Sequence, residues 1–142
     1  MDQKKGTLAI LVAMAVFGLL QARGGLFGTS KKVSSEAFLS EVASRINKDL
    51  PRSVDADTSI ESVDGLEAML VYNYRLVKVS AAELNLDQFV SEMTPNVTNA
   101  ACNSSDTRDT FLKEGVTLRY AYVDKSGVPV ASIDVTPAHC GL

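Results

Sequence analysis

The chain has 142 residues, with 14 Lys and Arg against 17 Asp and Glu, for a net charge of −3. That charge is unevenly placed: residues 1–32 hold five basic residues and one acid, while residues 33–142 hold nine basic residues and sixteen acids, a net of −7. So acidic a domain argues against nucleic-acid binding, which needs clustered Lys and Arg, and against adhesion to an anionic membrane surface.

Residues 6–22 form an uncharged run between Lys4-Lys5 and Arg23. As a helix rising about 1.5 Å per residue it reaches roughly 25 Å, within the range that spans a bilayer. A cleaved secretory signal is the competing reading, but cleavage after Ala22 or Gly25 puts Leu20 or Arg23 where a small residue is wanted. No cysteine stands near the end of the run to carry a lipid. The run therefore reads as an uncleaved signal anchor (1–22), followed by a basic, Gly-containing linker (23–32) and a domain (33–142) long enough for its own core.

The balance of Lys4 and Lys5 against Arg23, Lys31 and Lys32 points weakly away from an exported domain. Cys102 and Cys140 outweigh it. They are the only two cysteines, they lack metal-site spacing, and an even count suits one disulfide in an oxidising space. The expectation is a single-pass bacterial inner-membrane protein with residues 33–142 in the periplasm and a Cys102–Cys140 bond.

Within the domain, Phe38, Leu39, Val42, Ala43, Ile46 and Leu50 predict a helix over 35–50, stopped by Pro51. Residues 52–57 read as a polar connector. An EF-hand loop starting at Asp55 would need Gly at 60 and Glu at 66, where the chain has Ile60 and Leu66. Asp64-Gly65 then predicts a two-residue hairpin turn between strands 60–63 and 66–77. Along the second strand Leu66, Ala68, Leu70, Tyr72, Tyr74 and Leu76 share one face, read as core, and Glu67, Met69, Val71, Asn73, Arg75 and Val77 the other.

Ser80-Ala81-Ala82-Glu83 is a capping box opening a helix with Leu86, Phe89, Val90 and Met93 inward. Thr94-Pro95 reads as a second helix start, leading to Val97, Ala100, Ala101 and Cys102. A short third helix runs to Glu114, closed by Gly115 in the left-handed conformation. Two sequons, at Asn96 and Asn103, carry no weight. The last element is a hairpin, 116–123 and 128–135, turned by Asp124-Lys125-Ser126-Gly127, with Pro129 at an edge or beside the turn. The fold class is α+β: an N-terminal transmembrane helix, then a four-stranded antiparallel sheet with helices packed on its tyrosine face (Tyr72, Tyr74, Tyr120, Tyr122), the hydroxyls reaching partners at the sheet rim.

The stretch from Cys102 through Gly115-Val116-Thr117-Leu118-Arg119-Tyr120-Ala121-Tyr122 and the Asp124–Gly127 turn to Cys140 is similar to small, uncharacterised envelope proteins of Gram-negative bacteria. The resemblance covers roughly the final 40 residues and implies compartment and class, with no activity attached.

No GxSxG, HExxH, P-loop or GxGxxG occurs, and no cofactor is implied. His139 beside Cys140 points away from it in an extended chain, and Asp106 with Asp109 sit where acids serve a helix dipole. Two functions remain. One is a non-catalytic binding or assembly module that docks another envelope protein; the other is a small-ligand carrier or small enzyme with a helix–sheet pocket. For docking, the candidate residues are Met69, Val71 and Val123 as an apolar centre ringed by Arg75, Arg119 and Glu67.

Overall fold

The computed structural model describes residues 32–142, so the apolar run at 6–22 and the linker lie outside the described residues. Among those described, no helix is long and apolar enough to cross a membrane. Helix α1 (Glu36–Asn47) is capped by the Ser35 hydroxyl, which accepts the Phe38 N–H, and buries Phe38, Leu39, Val42, Ala43 and Ile46 as its spacing predicts. The connector after it is not wholly loop: Arg52–Ser53 forms a two-residue strand, β1, paired antiparallel with Ile60 and Ser59 of β2 (Thr58–Leu66). Asp55 Oδ1 accepts the N–H groups of Asp57 and Thr58, closing this turn on a side chain.

The first hairpin turns later than the Asp-Gly pair predicts. Leu66 pairs with Met69 of β3 (Met69–Leu76), so the turn residues are Glu67 and Ala68, the latter at φ 57°, and Gly65 lies inside β2. Gly65 is needed for closeness instead: a Cβ there would fall 2.2 Å from the carbonyl carbon and oxygen of Leu39, because the backbone of α1 crosses directly over it. With the turn displaced, Leu66 leaves the core and is 44% exposed.

From β3 the chain runs through a 3₁₀ turn (Ala81–Glu83) into α2 (Leu86–Asn103) and α3 (Ser105–Thr110) before β4 (Thr117–Val123) and β5 (Pro129–Val135). The Ser80–Glu83 capping box forms, with Ser80 N–H donating to Glu83 Oε1 at 2.8 Å, but it opens the 3₁₀ turn, and Asn85 caps α2 itself. The predicted break at Thr94-Pro95 does not occur. Phe89, Met93, Val97 and Ala101 continue one buried stripe at four-residue spacing across Pro95, and packing of that stripe outweighs the cost of an interior proline, about 3 kcal/mol. Leu86 and Val90, expected inward, are exposed. Gly115, at φ 87°, closes the segment as expected.

The sheet is five-stranded and mixed, in the order β1-β2-β3-β4-β5, not four-stranded and antiparallel. The two hairpins join through β3 and β4, which pair in parallel from Met69–Thr117 to Arg75–Val123. Parallel neighbours require a crossover of a dozen or more residues, and 77–116 supplies one. The second hairpin forms at the predicted turn, with Gly127 at φ 89°, and Pro129 lies on an edge strand.

The helices cover the tyrosine side. Tyr72, Tyr74, Tyr120 and Tyr122 are all at or below 2% exposure and stack across the parallel pair, with Phe89 of α2 edge-on to Tyr122. Three of the hydroxyls depart from that expectation: those of Tyr74, Tyr120 and Tyr122 are buried with no hydrogen-bond partner among the described residues. The Cys102–Cys140 disulfide is formed, with Cα atoms 5.3 Å apart, tying the end of α2 to the 3₁₀ turn Pro137–Cys140.

Candidate docking face

Strand alternation gives every residue opposite the tyrosines to the other side of the sheet, and the parallel register places them in rows: Met69 beside Thr117, Val71 beside Arg119, Asn73 beside Ala121, Arg75 beside Val123. Five of the six docking candidates named from sequence therefore share one face, and no helix among the described residues lies over it, since α1 and α2 both contribute to the core cluster on the tyrosine side. Val71 is sunk between its neighbours at 9% exposure, whereas Met69, Arg75, Arg119 and Val123 are half-buried. The sixth residue, Glu67, is in the turn, where its Oε1 accepts the N–H of Glu36 at 3.2 Å.

The arginines are already engaged within the chain. Arg119 makes a forked contact with Asp134 on β5, its Nε and Nη2 donating at 2.7 and 2.9 Å. That guanidinium holds the Asp134 carboxyl below the usual carboxylate range, and the carboxylate raises Arg119 in turn. Arg75 pairs with Glu61 at 3.6 Å and donates from Nη1 to the backbone oxygens of Asp124 and Lys125. Asn73 donates to Ser62 Oγ and Asp64 Oδ2. In the ring of Arg75, Arg119 and Glu67 expected around the apolar centre, the two arginines are thus held in cross-strand pairs. Sequence reasoning missed Glu61, Asp64 and Asp134; a four-residue turn at 124–127 by itself sets Arg119 opposite Ser132, and the irregular register beyond the turn, with its shift between Tyr122 and Val123, is what brings Asp134 opposite Arg119.

Elsewhere the described residues hold little for chemistry. A groove of about 460 Å³ runs between α1 and β2, lined by Ser40, Ala43, Ser44, Asn47, Val63, Asp64, Gly65 and Leu66. Its central amide is spent: Asn47 accepts the Val63 N–H at 2.7 Å and donates to the Val63 carbonyl at 2.8 Å, standing in for a strand neighbour beyond the short β1. Asp109 is paired with Lys113 and Arg108, so it does not form a carboxylate couple with Asp106. His139 Nδ1 accepts the Thr136 N–H, and its neighbour Cys140 is in the disulfide. No group of three or more His, Cys, Asp or Glu among the described residues is placed to hold a metal ion.

The fold is similar to that of solved structures. A protein of Pseudomonas aeruginosa inferred to be secreted matches with a TM-score of 0.65 at 20% identity, over 80% of this chain and 99% of its own. The pilotin EpsS of the Vibrio vulnificus type 2 secretion system matches at 0.60 with 15% identity, over 74% and 90%. The type II secretion pilotin AspS of Vibrio cholerae matches at 0.55 with 17% identity, over 74% and 91%. These likenesses establish the fold. No family model matches the chain, and no curated protein matches it by sequence.

Proposed function

We propose that this chain is an extracytoplasmic, non-catalytic binding module that docks another envelope protein through the open face of its sheet, held at the bacterial inner membrane by residues 6–22. The observation that carries the reading is the asymmetry of the sheet: one side is packed by helices, and the other presents Met69, Val71, Ala121 and Val123 between ordered polar pairs with no described element across it. A surface whose charged side chains are already fixed loses little side-chain entropy on association, which favours recognition by shape. The disulfide supports an oxidising compartment. Likeness in fold to two pilotins adds a precedent in which such a domain serves a secretion assembly, and tethering would populate weak contacts with a membrane-bound partner by raising effective concentration.

The test is site-specific photocrosslinking in the native host from Met69 or Val123, compared with the exposed helix-end position Lys48. The expected result is one envelope protein captured from both sheet positions and not from Lys48. Equal capture from all three places the docking surface elsewhere.

A further inference from the structure

Strand β2 pairs with β3 along its whole length, from Thr58–Leu76 to Leu66–Met69, but β1 covers its outer edge only at Ser59 and Ile60. From Ser62 to Leu66 that edge meets no strand among the described residues. An open edge offers backbone N–H and C=O groups to any second strand, and folded domains deter such pairing with Lys, Pro or bulges. This stretch holds neither Lys nor Pro, and the bulge lies before it, between Ile60 and Ser62. Two side chains of α1 take the role instead. Asn47 closes both outward groups of Val63, donating to its carbonyl at 2.8 Å and accepting its N–H at 2.7 Å. Outward backbone groups recur at every second residue, which makes Gly65 the next, and its carbonyl accepts the Ser40 hydroxyl at 3.1 Å. The Asn47 amide brings one donor and one acceptor, the same pair that a residue of a neighbouring strand would present.

We propose that the β2 edge from Ser62 to Leu66 is a pairing surface for a second copy of this chain, and that Asn47 and Ser40 keep it closed by holding the groups the second copy would use. A second copy fits because the edge is its own complement. With the strands antiparallel about a two-fold axis, Val63 of one copy opposite Gly65 of the other exchanges two N–H···O bonds, and the axis repeats the exchange. Access is open, since the small side chains of Ser40, Ala43 and Ser44 leave a groove of about 460 Å³ along this edge. Asp64, which accepts from Asn73 at 2.9 Å, would face its own copy across the axis, so like charges add to the barrier. The edge is distinct from the face that carries Met69, Val71 and Val123.

The experiment is photocrosslinking of the full chain in its native host, with the photoreactive residue at Leu66, which is exposed and which this pairing sets opposite Ser62, and a control at the exposed Lys113. Asn47→Ala removes both bonds to Val63, and Ser40→Ala removes one hydroxyl at an exposed helix position, a change too mild to unfold the domain. The expected result is no covalent self-dimer in the parent, a self-dimer in Ser40→Ala and a stronger one in Asn47→Ala, joined from position 66 to the segment holding Ser62. Asp64→Asn added to Asn47→Ala should raise the yield several-fold by removing the like charges. A parent that dimerises as readily as Asn47→Ala, both variants remaining monomeric, a yield that Asp64→Asn leaves unchanged, or self-crosslinks as strong from position 113 overturns the proposal.

Discussion

Gly65 is the residue whose replacement has the least room. Gly65→Ala drives a methyl into the Leu39 carbonyl and to 2.4 Å from the Ser40 nitrogen, and backbone cannot rotate aside as a side chain can. The expected cost is about 3 kcal/mol or more in a denaturant melt, through separation of α1 from β2. Gly115→Ala, at φ 87° but facing open space, should cost only about 1 kcal/mol. Equal losses at the two sites would show that α1 does not press on β2. Asp124 is the other single residue on which several segments depend. Its Oδ2 accepts the Ala81 N–H and its Oδ1 the N–H groups of Ser126 and Val128, each at 2.8 Å, so one carboxylate joins the β4–β5 turn to the segment leading into α2. The Ala81 bond foremost, with those of the turn, holds Asp124 below its ordinary value of 3.8, and Arg119 does the same for Asp134. Carboxyls depressed in the folded state contribute stability that is complete above about pH 4 and is lost as pH falls through their folded values. Thermal melts should therefore hold level down to about pH 4 and decline below it, and Asp134→Asn should shallow the decline while lowering Tm at neutral pH.

Among the elements, those legible in the sequence are the ones whose signals are local. Helix α1 follows from its apolar spacing and Ser35, and the second hairpin from its four-residue turn. What escaped was decided by contacts distant in sequence: the first turn moved because Leu39 occupies the space beside Gly65, and α2 runs through Pro95 because its stripe is buried on the sheet. The parallel β3–β4 pairing escaped for the same reason, since turn chemistry specifies each hairpin but not how two hairpins meet. Met69, Val71, Arg75, Arg119 and Val123 share a face, as alternation predicts, because alternation survives a change of strand direction, whereas the partners of the charged residues depend on register. The disulfide belongs to this scale as well. Closing a loop with a sequence separation of 38 removes chain entropy worth about 4 kcal/mol in the loop-closure account, so a Cys102→Ser, Cys140→Ser double variant should lose up to that amount in a urea melt. An unchanged midpoint, or two free thiols in protein purified from the envelope, would contradict a structural role.

For the whole molecule, topology and compartment are tested together by fusion. Alkaline phosphatase placed after Leu142 should be active, as it requires export, and an active cytoplasmic reporter at the same position beside a silent phosphatase would exclude the periplasmic assignment.

The Ala68 N–H donates to the Ser34 carbonyl at 2.8 Å, and the Glu36 N–H to Glu67, so the chain joins the domain at the β2–β3 turn. Strands β3 and β4 both start at that end and run away from it. Eight residues of β3 at about 3.3 Å each give the exposed face a length of roughly 25 Å from end to end. Met69 and Thr117 lie near that end, and Arg75 and Val123 near the far one. A partner that binds near Arg75 and Val123 would sit roughly 25 Å from the point where residues 34–36 meet the sheet, and one that binds near Met69 would sit beside it.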